Sequence, residues 1–382
     1  MSPIRVGLIG LSGAPSDQYE GTSWAASAHL PFLTASPHFE IVALLNSSSE
    51  SARAAIAKYN LPVETKAYGD PADLANDPDV DLVVCCVRVD RHLLTVRPSL
   101  IAGKTVYVEW PLDRDLATAK EMASLANEHN ARTIVGLQSN FSPLLRKMRS
   151  LVEGGEIGRI LSSTFIGSFG NNIDTESKNV RYFLDRSVGG SVMSIHVGHS
   201  LESIITVLSQ FKSFKSSSAI TRPELDIVDH QAGGTIVQKA VPNTVPDNIL
   251  LYGSVGPSDA PVTVKLYAGK EFPGLPRLDW QIQGTKGWLR LTSPVLFLNV
   301  GDSGAKVEIF RSDTGEVEQV KADSDEWDSF PIPVQNIARL YGAYRLGDWY
   351  PTFDWALKRH EMIDTIWTEF DSDRREPHTI DG

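Results

Sequence analysis

Val106-Tyr107-Val108-Glu109-Trp110-Pro111-Leu112 reads as a β-strand that runs into a turn. Alternating β-branched and aromatic residues favour the extended chain, and a proline, which cannot donate to a sheet ladder, ends it. A strand that stops at an acid and a proline leaves its carboxyl end at an open edge, and in doubly wound sheets ligands bind just outside such ends. The reacting centre is therefore expected at Glu109 and Trp110, although a buried strand with an ordinary turn is the simpler account of this stretch taken alone.

Strands and helices alternate on either side of it. Residues 4–9 form a short apolar strand that runs directly into Gly10-Leu11-Ser12-Gly13. Strand, glycine, then helix is how a dinucleotide's pyrophosphate is met, because backbone N–H groups at a helix N-terminus face the phosphates. The full G-x-G-x-x-G is absent, and a polar insert at 14–22 delays the helix to 23–33, with Ser23 as its N-cap. A second apolar strand, 39–45, ends in Asn46-Ser47-Ser48. The acid that usually binds the adenosine ribose of NAD is missing there, and the serines suit a 2′-phosphate instead, so both NAD and NADP remain open. Further strands are expected at 79–87, emptying into Arg88-Val89-Asp90-Arg91-His92, at 106–109 and at 133–137, with helices at 51–59, 93–102 and 116–129 between them. Five strands in this rhythm predict a parallel sheet covered on both faces.

Beyond Gln138 the rhythm changes. After a helix at 143–153, strand-like runs at 160–167, 234–239, 248–255, 261–267, 277–283, 288–291 and 307–311 lie close together, with turn signals such as Gly284-Thr285-Lys286-Gly287. They predict a mostly antiparallel sheet with one face under helices, including one at 192–208. Ser213 to Ser218 reads as a polar turn, Gly301-Asp302-Ser303-Gly304 as a hairpin turn, and 353–367 as an amphipathic helix. The expected division is 1–138 for a dinucleotide-binding domain and 139–382 for a second, antiparallel-sheet domain that carries substrate contacts and oligomerisation.

Composition narrows the function. A chain of 382 residues, 42% hydrophobic and 22% charged, can fill two cores. A net charge of -11 and the absence of a basic run argue against nucleic acid. Cys85 and Cys86, the two cysteines, are neighbours on a strand and point to opposite faces, which makes them core residues. That usage, no secretory pattern at the N-terminus and no long apolar span lead us to expect a cytoplasmic protein that does not enter a membrane, and to discount the sequon at Asn46.

The order of these motifs, followed by Gly189-Gly190-Ser191-Val192-Met193-Ser194-Ile195-His196-Val197-Gly198-His199, resembles the Gfo/Idh/MocA oxidoreductase family over nearly the whole chain. Leu45-Asn46, Val108-Glu109-Trp110, Leu137-Gln138, Val197-Gly198-His199 and Thr244-Val245-Pro246-Asp247 are most like its fungal galactose-regulon repressor-like branch. The resemblance implies a Rossmann domain joined to an open antiparallel sheet, an NAD or NADP cofactor, and hydride transfer at a hydroxyl or carbonyl carbon of a sugar-like or specialised metabolite. It implies a homodimer as well. Cofactor contacts are expected from Gly10, Leu11, Ser12, Gly13, Asn46, Ser47, Val87, Arg88, His92, Glu109, Trp110 and Gln138.

Two departures bear on catalysis. Trp110 stands where family dehydrogenases carry a lysine that polarises the substrate oxygen, and an indole N–H supplies one weak bond and no charge. Ile195 stands where they carry an aspartate, whereas their histidine is retained as His199. The residues expected at the reacting centre are His199, Tyr182 and Trp110. His196 and Asp185 are weaker candidates, as are Asp90 and Arg91 at the cofactor's edge, and Asp247 can simply start a strand. His196 and His199 share a helix face but find no third ligand nearby, so no metal is expected. The alternative to an oxidoreductase is a non-catalytic NAD(P)-binding regulator that binds a protein partner.

Overall fold

The structure, a computed structural model, describes residues 2–13, 23–301 and 304–375. The polar insert at 14–22 and the middle of the 301–304 turn lie outside these residues. In the first half, β1 (Ile4–Ile9), β2 (Phe39–Leu45), β3 (Lys66–Tyr68), β4 (Leu82–Cys85), β5 (Thr105–Glu109) and β6 (Thr133–Gly136) form one parallel sheet in the order β3-β2-β1-β4-β5-β6. Between them run α1 (Leu30–Ala35), α2 (Ser49–Lys58), α3 (Pro71–Asn76), α4 (His92–Ile101) and α5 (Leu116–Glu128). One strand more than the expected five is present, because β3 has three half-buried residues and no apolar run to announce it. Register aligns Ile9 with Leu45 and Cys85, Cys85 with Val108, and Glu109 with Gly136. Gly10, Asn46, Cys86 and Glu109 therefore come to one edge, where the strand order reverses between β1 and β4.

The expected helix at 23–33 begins differently. Ser23 has a φ of 52° and offers its carbonyl, not its hydroxyl, to Ala26 and Ser27. A wide π-type turn, Ala25–His29, then leads into α1.

The second half is built on an eight-stranded sheet. After α6 (Pro143–Glu153) come β7 (Ile160–Ser168), β8 (Thr175–Ser177), α7 (Val197–Leu208), β9 (Phe211–Ala219), β10 (Glu224–Asp229), β11 (Thr235–Pro242), β12 (Asn248–Val255), β13 (Ala260–Tyr267), β14 (Leu278–Gly284), β15 (Gly287–Ser293), β16 (Lys306–Arg311) and β17 (Val317–Val320). The order is β17-β16-β15-β14-β7-β13-β12-β9, antiparallel except for β7 beside β13, while β11-β10-β8 form a small separate sheet. Helices α6 and α7 cover one face, with Leu145, Met148, Leu201 and Ile204 in the shared core. The turn expected at Ser213 to Ser218 is instead the middle of β9, paired with β12. Its serines suit an edge, and the Glu369 carboxylate accepts from Ser216 N at 2.7 Å, which blunts the unpaired strand.

Two closing helices, α8 (Ile332–Leu346) and α9 (Phe353–Arg375), do not stay with the second sheet. Val334, Ile337, Leu340 and Tyr341 of α8 pack on one face of the parallel sheet, and Phe353 and Ala356 of α9 on the other. The division at 138/139 follows the end of β6, but the chain returns after 331 to complete the first core. None of the described helices is long and apolar enough to cross a membrane.

Further along, α9 meets α7 through Glu202 and Arg359, a fully buried pair at 3.1 Å. Burial pushes the Glu202 carboxyl up, partly offset by Arg359 and by bonds from Trp355 and Asn140. Removing one member of a buried pair leaves a charge without a partner. Arg359→Met should therefore cost about 3–5 kcal/mol of stability. Adding Glu202→Gln should recover most of it, and a urea-unfolding midpoint for Arg359→Met equal to that of the parent would contradict this.

Candidate active site

Strand β5 delivers Glu109 to the carboxyl edge, where three segments meet its carboxylate. His29 Nε2 lies 2.9 Å from Oε1, the Tyr107 hydroxyl donates to the same oxygen at 2.9 Å, and Gln138 Nε2 donates to Oε2 at 3.3 Å. Gly136 on the neighbouring strand leaves the room, since a Cβ there would sit 2.4 Å from Oε2. Burial pushes the Glu109 carboxyl up, but the bond and charge of His29, with help from Tyr107 and His199, hold it below the usual carboxylate range. On its other side, His29 Nδ1 lies 2.8 Å from the Tyr341 hydroxyl, so both ring nitrogens are engaged.

Immediately after Glu109, the cis Trp110-Pro111 bond turns the chain. Trp110 Nε1 donates to the Ser194 carbonyl at 2.9 Å, and its ring lies against Gly198, where a Cβ would come within 2.5 Å, and against His360 at 4.8 Å between centroids. The indole thus keys the second domain's helix to the end of β5. Ser191 caps that helix, a second π-type turn at Val192–His196 opens it, and α7 follows. Two π-type turns, one in each domain, thus end in His29 and His196. Such turns carry an extra residue and recur at functional sites.

The result is a cavity of about 680 Å3 between the domains, lined by Glu109, Trp110, Gln138, Tyr182, His196 and His199, with Val87, Arg88 and His92 at its first-domain side. Burial drives the His196 imidazole down to about 3 and that of His199 down to about 4, the latter resisted by the charge of Glu109. Nδ1 of each has no hydrogen-bond partner among the described residues. A second cavity of about 730 Å3, lined by Ser12, Asn46, Ser47 and Arg91, shares Gly10 and Val87 with the first, so the two are lobes of one groove.

Other residues singled out in the sequence have structural duties. Leu11 is buried in the first core and lines neither lobe. At Gly13 a Cβ would come within 2.6 Å of Ala55 N, so this glycine seats the turn on α2. Asn46 Nδ2 donates to the Leu11 and Ser51 carbonyls at 2.8 and 3.2 Å and ties the end of β2 to the glycine turn. His92 lies between carbonyls, Pro111 and Leu112 at Nδ1 and Val87 at Nε2, each at 3.1 Å, and staples the turn after β5. Arg88 pairs with Asp90 at 2.6 Å and its guanidinium lies 5.7 Å from the Tyr182 ring. Asp185 caps Ser187 at 2.9 Å, and Asp247 holds Arg222 at 2.9 Å in a buried pair just before β12. No group of three or more possible metal ligands occurs among the described residues.

His29, Trp24, Phe297, Asn299 and Tyr341 went unrecognised in the sequence. His29 is one polar residue in a mostly apolar helical run, and the 297–299 segment lies in a loop far along the chain. Neither carries a local signal.

Residues 4–137 match the oxidoreductase family with an NAD-binding Rossmann fold (Gfo/Idh/MocA), and residues 143–293 match the Gal80p C-terminal domain. A dehydrogenase of Aspergillus oryzae, aclE, is 30% identical over 366 residues, 95% of each chain. The chain belongs to the Gfo/Idh/MocA oxidoreductase family. Within that family it is also similar to the galactose/lactose metabolism regulatory protein GAL80 of Saccharomyces cerevisiae, 28% identical over 311 residues, 79% of this chain and 69% of that one. A super-repressor mutant of Gal80p from the same yeast superposes with a TM-score of 0.85 at 25% identity, covering 97% and 96% of the two chains. Levoglucosan dehydrogenase in complex with NADH and L-sorbose shares the fold at a TM-score of 0.75 and 17% identity, over 98% of both. The groove fits the family's NAD. At Gly10, with φ of 92°, a Cβ would sit 2.7 Å from the Cys86 carbonyl, so only glycine lets the backbone turn there between the two lobes.

His196 and His199 also set the response to acid. An unfolded imidazole titrates near ~6.5, so the unfolded chain takes up protons that the folded protein refuses. Their contribution is intact above that value and drains away as pH falls toward about 4 for His199 and about 3 for His196. His196→Phe should flatten the fall in melting temperature between pH 7 and pH 5, and an unchanged slope would contradict burial of that ring.

Proposed function

We propose that this protein is an NAD(P)-dependent oxidoreductase that moves hydride between the nicotinamide and a hydroxyl or carbonyl carbon of a sugar-like or specialised metabolite. The observation that carries the reading is His199, an imidazole within the field of Glu109 in the lobe that continues the dinucleotide groove. When bound, the oxidised cofactor supplies a hydride acceptor. The chain's own part is the proton. As the C–H pair leaves an alcohol carbon, the hydroxyl proton passes to His199 and the C–O bond becomes a carbonyl; reduction reverses both transfers. Burial keeps His199 neutral and able to accept, and the Glu109 carboxylate stabilises the imidazolium that forms. Trp110 contributes shape and carries no charge, and Tyr182 is the second candidate donor at the same lobe.

A second reading, a non-catalytic NAD(P)-binding regulator with a protein partner, is favoured by the likeness to GAL80 and by two residues that line the lobe. Trp110 has its N–H committed to Ser194, and Ile195 places an alkyl group at the family's aspartate position. In either reading we assign the open face of the eight-stranded sheet, where Ile166, Leu250, Tyr252 and Trp288 are exposed, to a second copy of the chain, and we place the protein in the cytoplasm.

Both NADH and NADPH should quench the tryptophan fluorescence, with weak discrimination, since Asn46 is committed to backbone carbonyls and no acid ends β2. His199→Ala should lower single-turnover hydride transfer by about a hundredfold or more while leaving the cofactor titration in place. In the oxidation direction the rate should fall only as pH drops toward about 4, where His199 gains its proton. Full transfer by a folded His199→Ala protein would move the proton to another residue, and full cofactor binding with no transfer on any alcohol or ketone would favour the regulator.

A further inference from the structure

We infer that the substrate of the inter-domain lobe is a flat, largely apolar ring compound that carries its one or two oxygen functions at one end, and not a polyol. The inference rests on the reading of this lobe as the substrate site. Five aromatic side chains, Trp24, Trp110, Tyr182, Phe183 and Phe297, form much of the wall, and Val89 and Ile195 add alkyl surface.

Hydrogen-bonding capacity decides between the two classes. Most polar groups of the lobe are already engaged. The Glu109 oxygens accept from His29, Tyr107 and Gln138, and Gln138 Oε1 accepts from Asn299 Nδ2 at 3.2 Å. The Trp110 N–H goes to Ser194, His92 lies between backbone carbonyls, and Arg88 is paired with Asp90. Among the described residues, buried atoms without a partner remain on Trp24, His196, His199 and Asn299. Two of these four residues, His196 and His199, pack against the Phe297 ring at 4.7 and 6.0 Å between centroids, and Asn299 lines the same lobe.

A cyclic polyol brings a hydroxyl on nearly every carbon, each both donor and acceptor, and a buried hydroxyl that finds no partner costs its whole hydration. A wall of indole and phenyl rings returns nothing for those groups. It suits the faces of a ring that is itself apolar, since aromatic surfaces pair well with one another. The polar end near Phe297 then meets a single hydroxyl or carbonyl, and His199 stands at that end.

The test is calorimetric titration of the protein saturated with NADH, using α-tetralone as the flat ketone and myo-inositol and D-glucose as polyols. The ketone should bind at least about tenfold more tightly than either polyol, the scale set by one unpaired buried hydroxyl. Phe297→Ala, with an unchanged circular-dichroism spectrum, should weaken the ketone by a similar factor, and Val89→Ala at another wall should weaken it less. Tighter binding of either polyol, or equal binding of the two classes, would overturn this inference while leaving the lobe as a substrate site. Binding of neither class to a protein that still titrates with NADH would overturn the substrate-site reading, and this inference with it.

Discussion

The half-buried carboxylate of Glu109 is the constraint on which the rest of the site depends. A charge largely withdrawn from water is tolerable when donors surround it, and those donors come from the π-type turn before α1, from β5 itself and from the exit of β6. Each donor is fixed in its turn, His29 by Tyr341 of the returning helix α8 and Gln138 by Asn299 of the loop after β15. A single carboxylate thus gathers residues separated by up to 312 positions, from 29 to 341, into one polar cluster at the carboxyl edge of the parallel sheet.

Beside that polar cluster lies an apolar lock. Trp110 follows Glu109, and its ring fits against a glycine of α7 while its only donor binds the carbonyl of Ser194. The same two-residue step therefore holds a charge in the first domain and fixes the helix of the second that brings His199 within its field. A lysine at this position would gain a charge but lose the flat surface that Gly198 accommodates. In this chain the indole at 110 therefore requires a residue without a side chain at 198.

Much of the fold was legible because parallel strands buried on both faces spell themselves as apolar runs, as β1, β2 and β4 do. Antiparallel strands with one wet face alternate, as β13 and β14 do, and close spacing with turn signals such as residues 284–287 made the sheet legible. What escaped was short or polar. Three-residue β3 has no period to detect, and β9 is an edge strand whose serines imitate a turn until Glu369 is seen to bind one of them. In the site, Glu109, Trp110 and His199 could be found because they sit in motifs. His29 and Asn299 could not, because their importance comes from contacts across the fold and from nothing in their neighbours. The return of α8 and α9 to the first core was hidden for the same reason, since amphipathic helices do not announce which sheet they cover.

The most direct measurement is a crystal structure of the protein soaked with NADH. The account places the nicotinamide ring in the lobe lined by Glu109, Trp110 and His199, with its C4 edge open toward His199 and the adenosine end beside Asn46 and Ser47. A nicotinamide ordered outside that lobe, or a protein that takes up no dinucleotide under these conditions, would contradict it.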